Sequence, residues 1–247
     1  LLEKMGYNYS NGLALIPSYR SDVLHQIDLI EDIAIAYGYE NISEEIPAVA
    51  TVAAEDPFSI FKRKLSEILA GLGLLECKTY HITNKDFQTK LMNCNIKVVE
   101  LANALNQEYS TLTAWVMPSL MEVLKNNKHH EYPQNIFAIG RIFKKDPSQE
   151  TGVLEQDRLA CLLCSDQSDY TRIKQVIDYL LRMAGIDYKI EPTEHPSFIP
   201  GRTGRLVIKG KKVAYIGEIS PEVLGNWDID MPTTGFELNI TELFNLI

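Results

Sequence analysis

Four acidic residues stand where chemistry could be done: Asp22, Asp28, Glu31 and Asp32. A helix turns about 100° per residue, so Asp28, Glu31 and Asp32 would fall on one face. The apolar positions Val23, Ile27, Ile30, Ala34 and Tyr37 recur at helical spacing and predict an opposite, buried stripe. Asp22 would sit at the helix start, near the positive end of its dipole. Carboxylates that converge repel one another, and a divalent cation relieves the repulsion. Magnesium suits such hard oxygen donors and keeps several waters. A solvated acidic face has the same spacing and needs no metal.

Other reactive side chains suggest less. Cys77, Cys94, Cys161 and Cys164 are scattered. Cys161 and Cys164 have CxxC spacing inside an apolar run, and no second Cys or His pair completes a zinc site. Free core thiols are the expectation. His129-His130 reads as a polar helix end, and His195-Pro196 has no evident triad partner. Gly201-Arg202-Thr203-Gly204-Arg205 could receive a phosphate or carboxylate. It lacks the context of a phosphate loop, so a loop feeding a strand is the plainer reading. Trp115 suits either core or interface. No catalytic and no cofactor-binding residue emerges.

The elements that must carry these residues fall into two units. The chain has 247 residues, 45% hydrophobic, and a net charge of −9. That length can bury a full core without disulfide or metal. The only dense basic cluster is Lys62-Arg63-Lys64, which opposes extensive phosphate contact. No apolar run is long enough to cross a membrane, so no membrane partner and a cytoplasmic location are expected. The opening Leu1-Leu2-Glu3-Lys4-Met5-Gly6 reads as the end of a helix closed by glycine, as in a piece of a longer polypeptide.

Residues 1–50 predict a small, truncated helical domain, with a strand over 13–16 and a helix capped by Ser21 or Asp22 that runs to Tyr37. Residues 51–56 are the expected linker, and 57–247 the core domain. Asp56-Pro57 opens a helix whose buried stripe is Phe58, Phe61, Leu65, Ile68 and Leu69. Strands are expected over 76–82, 97–101, 135–143, 158–165, 205–208, 213–219 and 234–240. Helices are expected over 84–91, 118–128, 170–184 and 221–225. Short hairpin links and late consecutive strands predict an α+β fold, an antiparallel sheet with helices on one side.

Two stretches carry a specific resemblance. Ile16-Pro-Ser-Tyr-Arg-Ser-Asp22, followed by Asp28-Leu-Ile-Glu-Asp-Ile-Ala-Ile-Ala-Tyr-Gly-Tyr-Glu-Asn-Ile42, closely resembles a signature of phenylalanyl-tRNA synthetase β subunits. LSEILAGLGLLECKT over 65–79, LANALNQEYSTLTAWVMPSL over 101–120, NIFAIGRIF over 135–143 and Pro200-Gly-Arg202 continue it in order, as do the segments 216–224 and 235–238. The end at residue 247 resembles the archaeal and eukaryotic cytosolic form.

The resemblance implies a class II aminoacyl-tRNA synthetase-like core that has lost its catalytic residues. It implies docking to a catalytic α subunit in an (αβ)₂ heterotetramer. That holoenzyme attaches phenylalanine to its tRNA using ATP; this part alone is expected to be inactive and to bind no ATP. Magnesium at Asp22, Asp28, Glu31 and Asp32 is implied as a site shared with the α subunit. Asp32 stands where glutamate is frequent, which implies ligation through a water. The chain departs from the pattern at Thr113, where arginine is usual, and at Ala138, where glutamate is frequent.

Residue chemistry points the same way, since amino-acid activation by ATP needs cations at the transferring phosphate. The late strand over 234–240 carries no arginine, and Arg141 is a lone candidate on an earlier one. A stand-alone class II-like ligase and a nucleic-acid-binding module in residues 1–50 are the alternatives. The acidic helix face opposes the second.

Overall fold

A computed structural model describes the chain except for residues 47, 49–52, 105 and 107. Two compact units are found, Leu1–Ala54 and Glu55–Ile247. Residues 51 and 52 of the expected linker at 51–56 lie outside the described residues.

In the first unit, a 3-10 turn over Leu2–Met5 ends at Gly6. A hairpin follows, β1 (Asn8–Ser10) with β2 (Leu13–Leu15). Its turn, Asn11-Gly12, has positive φ at both residues, the conformation two-residue hairpins favour. The cap of helix α1 (Gln26–Tyr37) lies three or four residues beyond the expected Asp22 or Ser21. His25 is the N-cap, accepting from the Ile27 amide through Nδ1, and Asp28 closes a capping box by accepting from the His25 amide. Gly38, at φ 97°, releases the chain from the helix.

The predicted stripe of α1 is not buried in this unit: Ile27 and Ile30 are each 58% exposed. The only buried side chains described here are Tyr7 and Asp32. The hairpin is too small to cover an apolar helix face, so a polar contact forms the centre of the unit.

The second unit is built on a seven-stranded sheet of order β3-β6-β7-β11-β10-β9-β8. These are β3 (Leu75–Glu76), β6 (Gln134–Lys145), β7 (Val153–Cys164), β8 (Lys189–Pro192), β9 (Phe198–Ile208), β10 (Lys211–Ile219) and β11 (Thr233–Asn239). Only the β3–β6 pair is parallel. A two-stranded ribbon, β4 (Ile82–Thr83) with β5 (Thr111–Leu112), lies outside the sheet. The segment 97–101 contributes only a bridge, from Glu100 to Thr111. The basic segment 201–205 is part of β9 instead of a loop. The α+β class is therefore observed, but the helices cover both faces of the sheet instead of one.

One face packs α2 (Pro57–Gly71), α5 (Tyr170–Met183) and α7 (Ile240–Leu246). Leu65 and Leu69 of α2, Ile177 and Leu180 of α5 and Leu243 of α7 meet Phe137, Leu159, Cys161 and Phe236. The other face packs α4 (Met117–Asn126) and α6 (Pro221–Asn226), with Trp227 and Met92, against Ile136, Ala160 and Leu162. The short α3 (Lys85–Gln88) leads into this layer. Neighbouring residues such as Ile136 and Phe137 serve opposite cores because side chains alternate along a strand. The long strands are buried on both faces and read as continuous apolar runs, which hides this two-sided packing from periodicity.

Glu237 joins the α4 layer to the sheet. It is 5% exposed. One oxygen accepts from the Val116 and Met117 amides, at 2.9 and 2.8 Å, where α4 begins. The other meets Nη1 of Arg158 at 3.1 Å. Removing the carboxylate leaves a partly buried guanidinium and two buried amides without acceptors. Glu237→Ala is expected to cost about 3–5 kcal/mol, the usual result of breaking a buried pair, read as a lower urea midpoint with an unchanged slope.

Candidate functional site

The four acidic residues are divided among separate tasks. Asp22 is held by Arg20, whose Nε and Nη2 donate to it at 3.0 and 2.8 Å. Those bonds hold its carboxyl below the usual range. Asp32 points inward, to Nη2 of Arg20 at 2.8 Å and to the Tyr7 hydroxyl, which donates to it. Burial and the Asp32 carboxylate push that hydroxyl up to about 12. Asp28 Oδ2 accepts from the Leu24 and His25 amides, both at 2.8 Å, and these backbone bonds lower its pKa. Glu31 is exposed.

No three carboxylates, imidazoles or thiols meet at a metal-sized site among the described residues. This chain's donors therefore do not fit a self-contained magnesium site. Arg20 already neutralises two of them, and Asp28 serves the helix start. Glu31 and Asp28 Oδ1 remain without a protein donor among the described residues. The signal that sequence reasoning passed over was Arg20 itself, six residues before the helix begins.

On the α4 face of the sheet, one row of paired residues runs Ala138, Ala160, Glu237, Tyr215, Arg205. Arg158 stands diagonally beside Glu237. The Arg205 guanidinium lies 3.8 Å over the Tyr215 ring. Strand β11 carries no cation, as the sequence shows, but its neighbours do. Arg141 lies on the opposite face, fixed by Asp157 at 2.9 Å and Glu155 at 3.0 Å.

His195 has partners that its sequence neighbourhood does not reveal. Its Nε2 is 3.8 Å from Cys94 Sγ, which is 3.2 Å from Ser197 Oγ. Burial and the Arg205 charge pull the imidazole down to about 4, and burial pushes the thiol up. Both groups are neutral near pH 7, so no thiolate–imidazolium nucleophile forms. Cys161 and Cys164 are free and buried, in accord with their reading as core residues.

A family model described as "Phenylalanyl tRNA synthetase beta chain CLM domain" matches residues 42–240. The chain belongs to this β-chain family. The "tRNA synthetase B5 domain" matches residues 1–39. A phenylalanine–tRNA ligase β subunit of Pyrococcus abyssi is 43% identical over 249 residues, covering 99% of this chain and 45% of that protein. That of Pyrococcus horikoshii is 42% identical with the same coverage. That of Methanococcus maripaludis is 35% identical over 95% of this chain and 43% of that protein. The chain thus spans less than half the length of these relatives.

In this member of the β-chain family, the two departures from the expected pattern have local structural explanations. Thr113 is buried, and its hydroxyl donates to the His81 carbonyl at 3.1 Å. Ala138 is buried in the α4 core, two strands from Glu237, where no charge is answered.

Two pH effects follow. The depressed Asp28 pKa means its capping bonds are complete above the ordinary carboxylate range near about 4 and are lost as pH falls through the lower folded value. Amide exchange at Leu24 and His25 is expected to quicken in that acid range, and Asp28→Asn to abolish the pH dependence. At His195, the unfolded chain binds a proton below about pH 6.5, whereas the folded chain does so only near 4. Stability is expected to fall as pH drops from about 6.5 to about 4. Denaturant titrations of His195→Gln are expected to lack that part of the slope.

Proposed function

We propose that this chain is the part of a phenylalanine–tRNA ligase β subunit that holds the catalytic α subunit, in an (αβ)₂ assembly that uses ATP to attach phenylalanine to tRNA. Membership in the β-chain family across residues 42–240 carries this reading. The core is read as class II synthetase-like, in keeping with its largely antiparallel sheet between helical layers. The work is cytoplasmic, and tRNA is engaged through the holoenzyme.

The chain's role is docking, not chemistry. Arg141 is occupied by two carboxylates, and the Cys94–His195 pair is uncharged near pH 7. The apolar stripe of α2 is committed to its own core through Leu65 and Leu69, as its sequence predicts. A groove of about 650 Å³ beside it is better suited. Tyr179, Met183 and Ile247 line it and are 45%, 58% and 60% exposed, the kind of apolar patch that marks an interface.

Magnesium at the acidic helix requires oxygens from the α subunit, because Glu31 and one oxygen of Asp28 are what this chain leaves available. Asp22 and Asp32 join only if Arg20 is drawn away.

The α chain is expected to co-elute with the full-length β chain on size-exclusion chromatography. Phenylalanine-dependent ATP–pyrophosphate exchange is expected in the complex and not in the β chain alone. Exchange by the β chain alone overturns the docking role. Tyr179→Glu with Met183→Glu is expected to weaken co-elution by about tenfold or more, as loss of interface anchors does.

A further inference from the structure

Residues 1–54 contain eight aspartates and glutamates but only two lysines or arginines, Lys4 and Arg20. Lys4 lies in the turn over Leu2–Met5, and Arg20 stands at the acidic helix. Its Nη2 is 2.8 Å from Asp22 Oδ2 and 2.8 Å from Asp32 Oδ2. One nitrogen thus joins two carboxylates from different segments, one ahead of α1 and one within it, as a bridging metal ion does. Nε adds a second bond to Asp22, at 3.0 Å.

The arginine is held in place for this task. Its amide donates to the Pro17 carbonyl at 3.0 Å, and its carbonyl accepts from the Val23 amide at 3.4 Å, so turns on both sides fix its backbone. Its guanidinium carbon is 5.3 Å from the centre of the Tyr7 ring, and the Tyr7 hydroxyl donates to Asp32. From this geometry we infer that Arg20 takes the place of a divalent cation in this chain. The acidic unit is neutralised and held together by its own guanidinium, and it comes to depend on a metal ion only when that residue is replaced.

The physical reasons favour the guanidinium. Its planar fork presents several donors at once, so it can serve two carboxylates where an ammonium acts as a point charge. Its bonds to Asp22 and Asp32 raise its pKa further, so the positive charge is permanent, whereas occupancy by a metal varies with concentration. Magnesium keeps several waters, whereas Asp32 is 8% exposed and already takes a guanidinium and a hydroxyl. Asp28 and Glu31 stay outside the bridge, Asp28 at the helix cap and Glu31 in solvent. The inference concerns this chain alone, because a magnesium ion shared with an α subunit at Glu31 and Asp28 leaves the bridge intact.

Hydrogen exchange of the full-length β chain over residues 26–37 tests this, in EDTA, in magnesium chloride and in sodium chloride of equal ionic strength. The sodium arm separates binding from screening. In the natural chain, exchange is expected to be the same in EDTA as in magnesium. Arg20→Gln is expected to quicken it in EDTA by about tenfold or more, the scale of lost hydrogen bonds to a charged group. Magnesium is expected to slow exchange in that variant again, and sodium is not. Arg20→Lys keeps a positive charge at the position and is expected to stay indifferent to magnesium. Faster exchange of the natural chain in EDTA than in magnesium overturns the inference. So does a protected Arg20→Gln chain that magnesium slows no more than sodium. If Arg20→Gln has no protection over 26–37 in any buffer, Arg20→Lys decides: indifference to magnesium supports the inference, and a response to it overturns it.

Discussion

The second unit depends on where one buried carboxylate is placed. Glu237 sits on a central strand and accepts from the first amides of α4 and from Arg158. The start of a helix offers donors with no partner inside the helix. Here a strand residue answers two of them and neutralises a neighbouring guanidinium. This fixes the orientation of α4 on the sheet and, with it, the layer containing Met117, Leu120 and Trp227.

The first unit also places a polar contact where an apolar core might have been. Tyr7, Arg20 and Asp32 meet at its centre, joining the turn before the hairpin, the segment after it and the helix. A carboxylate with both a guanidinium and a hydroxyl is well satisfied, so its burial is tolerated. The apolar side of α1 is left outward, with Ile27 and Ile30 exposed. The same acidic helix that suggests a metal site is thus first a structural element. Any cation there competes with Arg20.

Both sites follow one rule of placement. A charge that is answered inside the chain, such as Asp157 by Lys62 and Arg141, belongs to the architecture. Arg205, without a carboxylate partner among the described residues, is held instead by the Tyr215 ring and the Lys212 carbonyl.

The sequence by itself determined the family, through the long match around the acidic helix, and the α+β class, through its caps, turns and apolar runs. It located β6, β10, β11, α4, α5 and α6 closely and β7 except for its first five residues, because capping residues and β-rich stretches are local signals. It misjudged the start of α1, since His25 is an unusual cap. It extended a strand over 76–82 that forms only at its two ends. Tertiary structure alone decided which face each residue serves: Asp32 turned inward, Arg141 and Arg158 fell on opposite sides of the sheet, and Cys94 reached His195 from 101 residues away. Local periodicity reports spacing along the chain. Strand order and register set which distant side chains share a face, and those emerge only when the sheet is assembled.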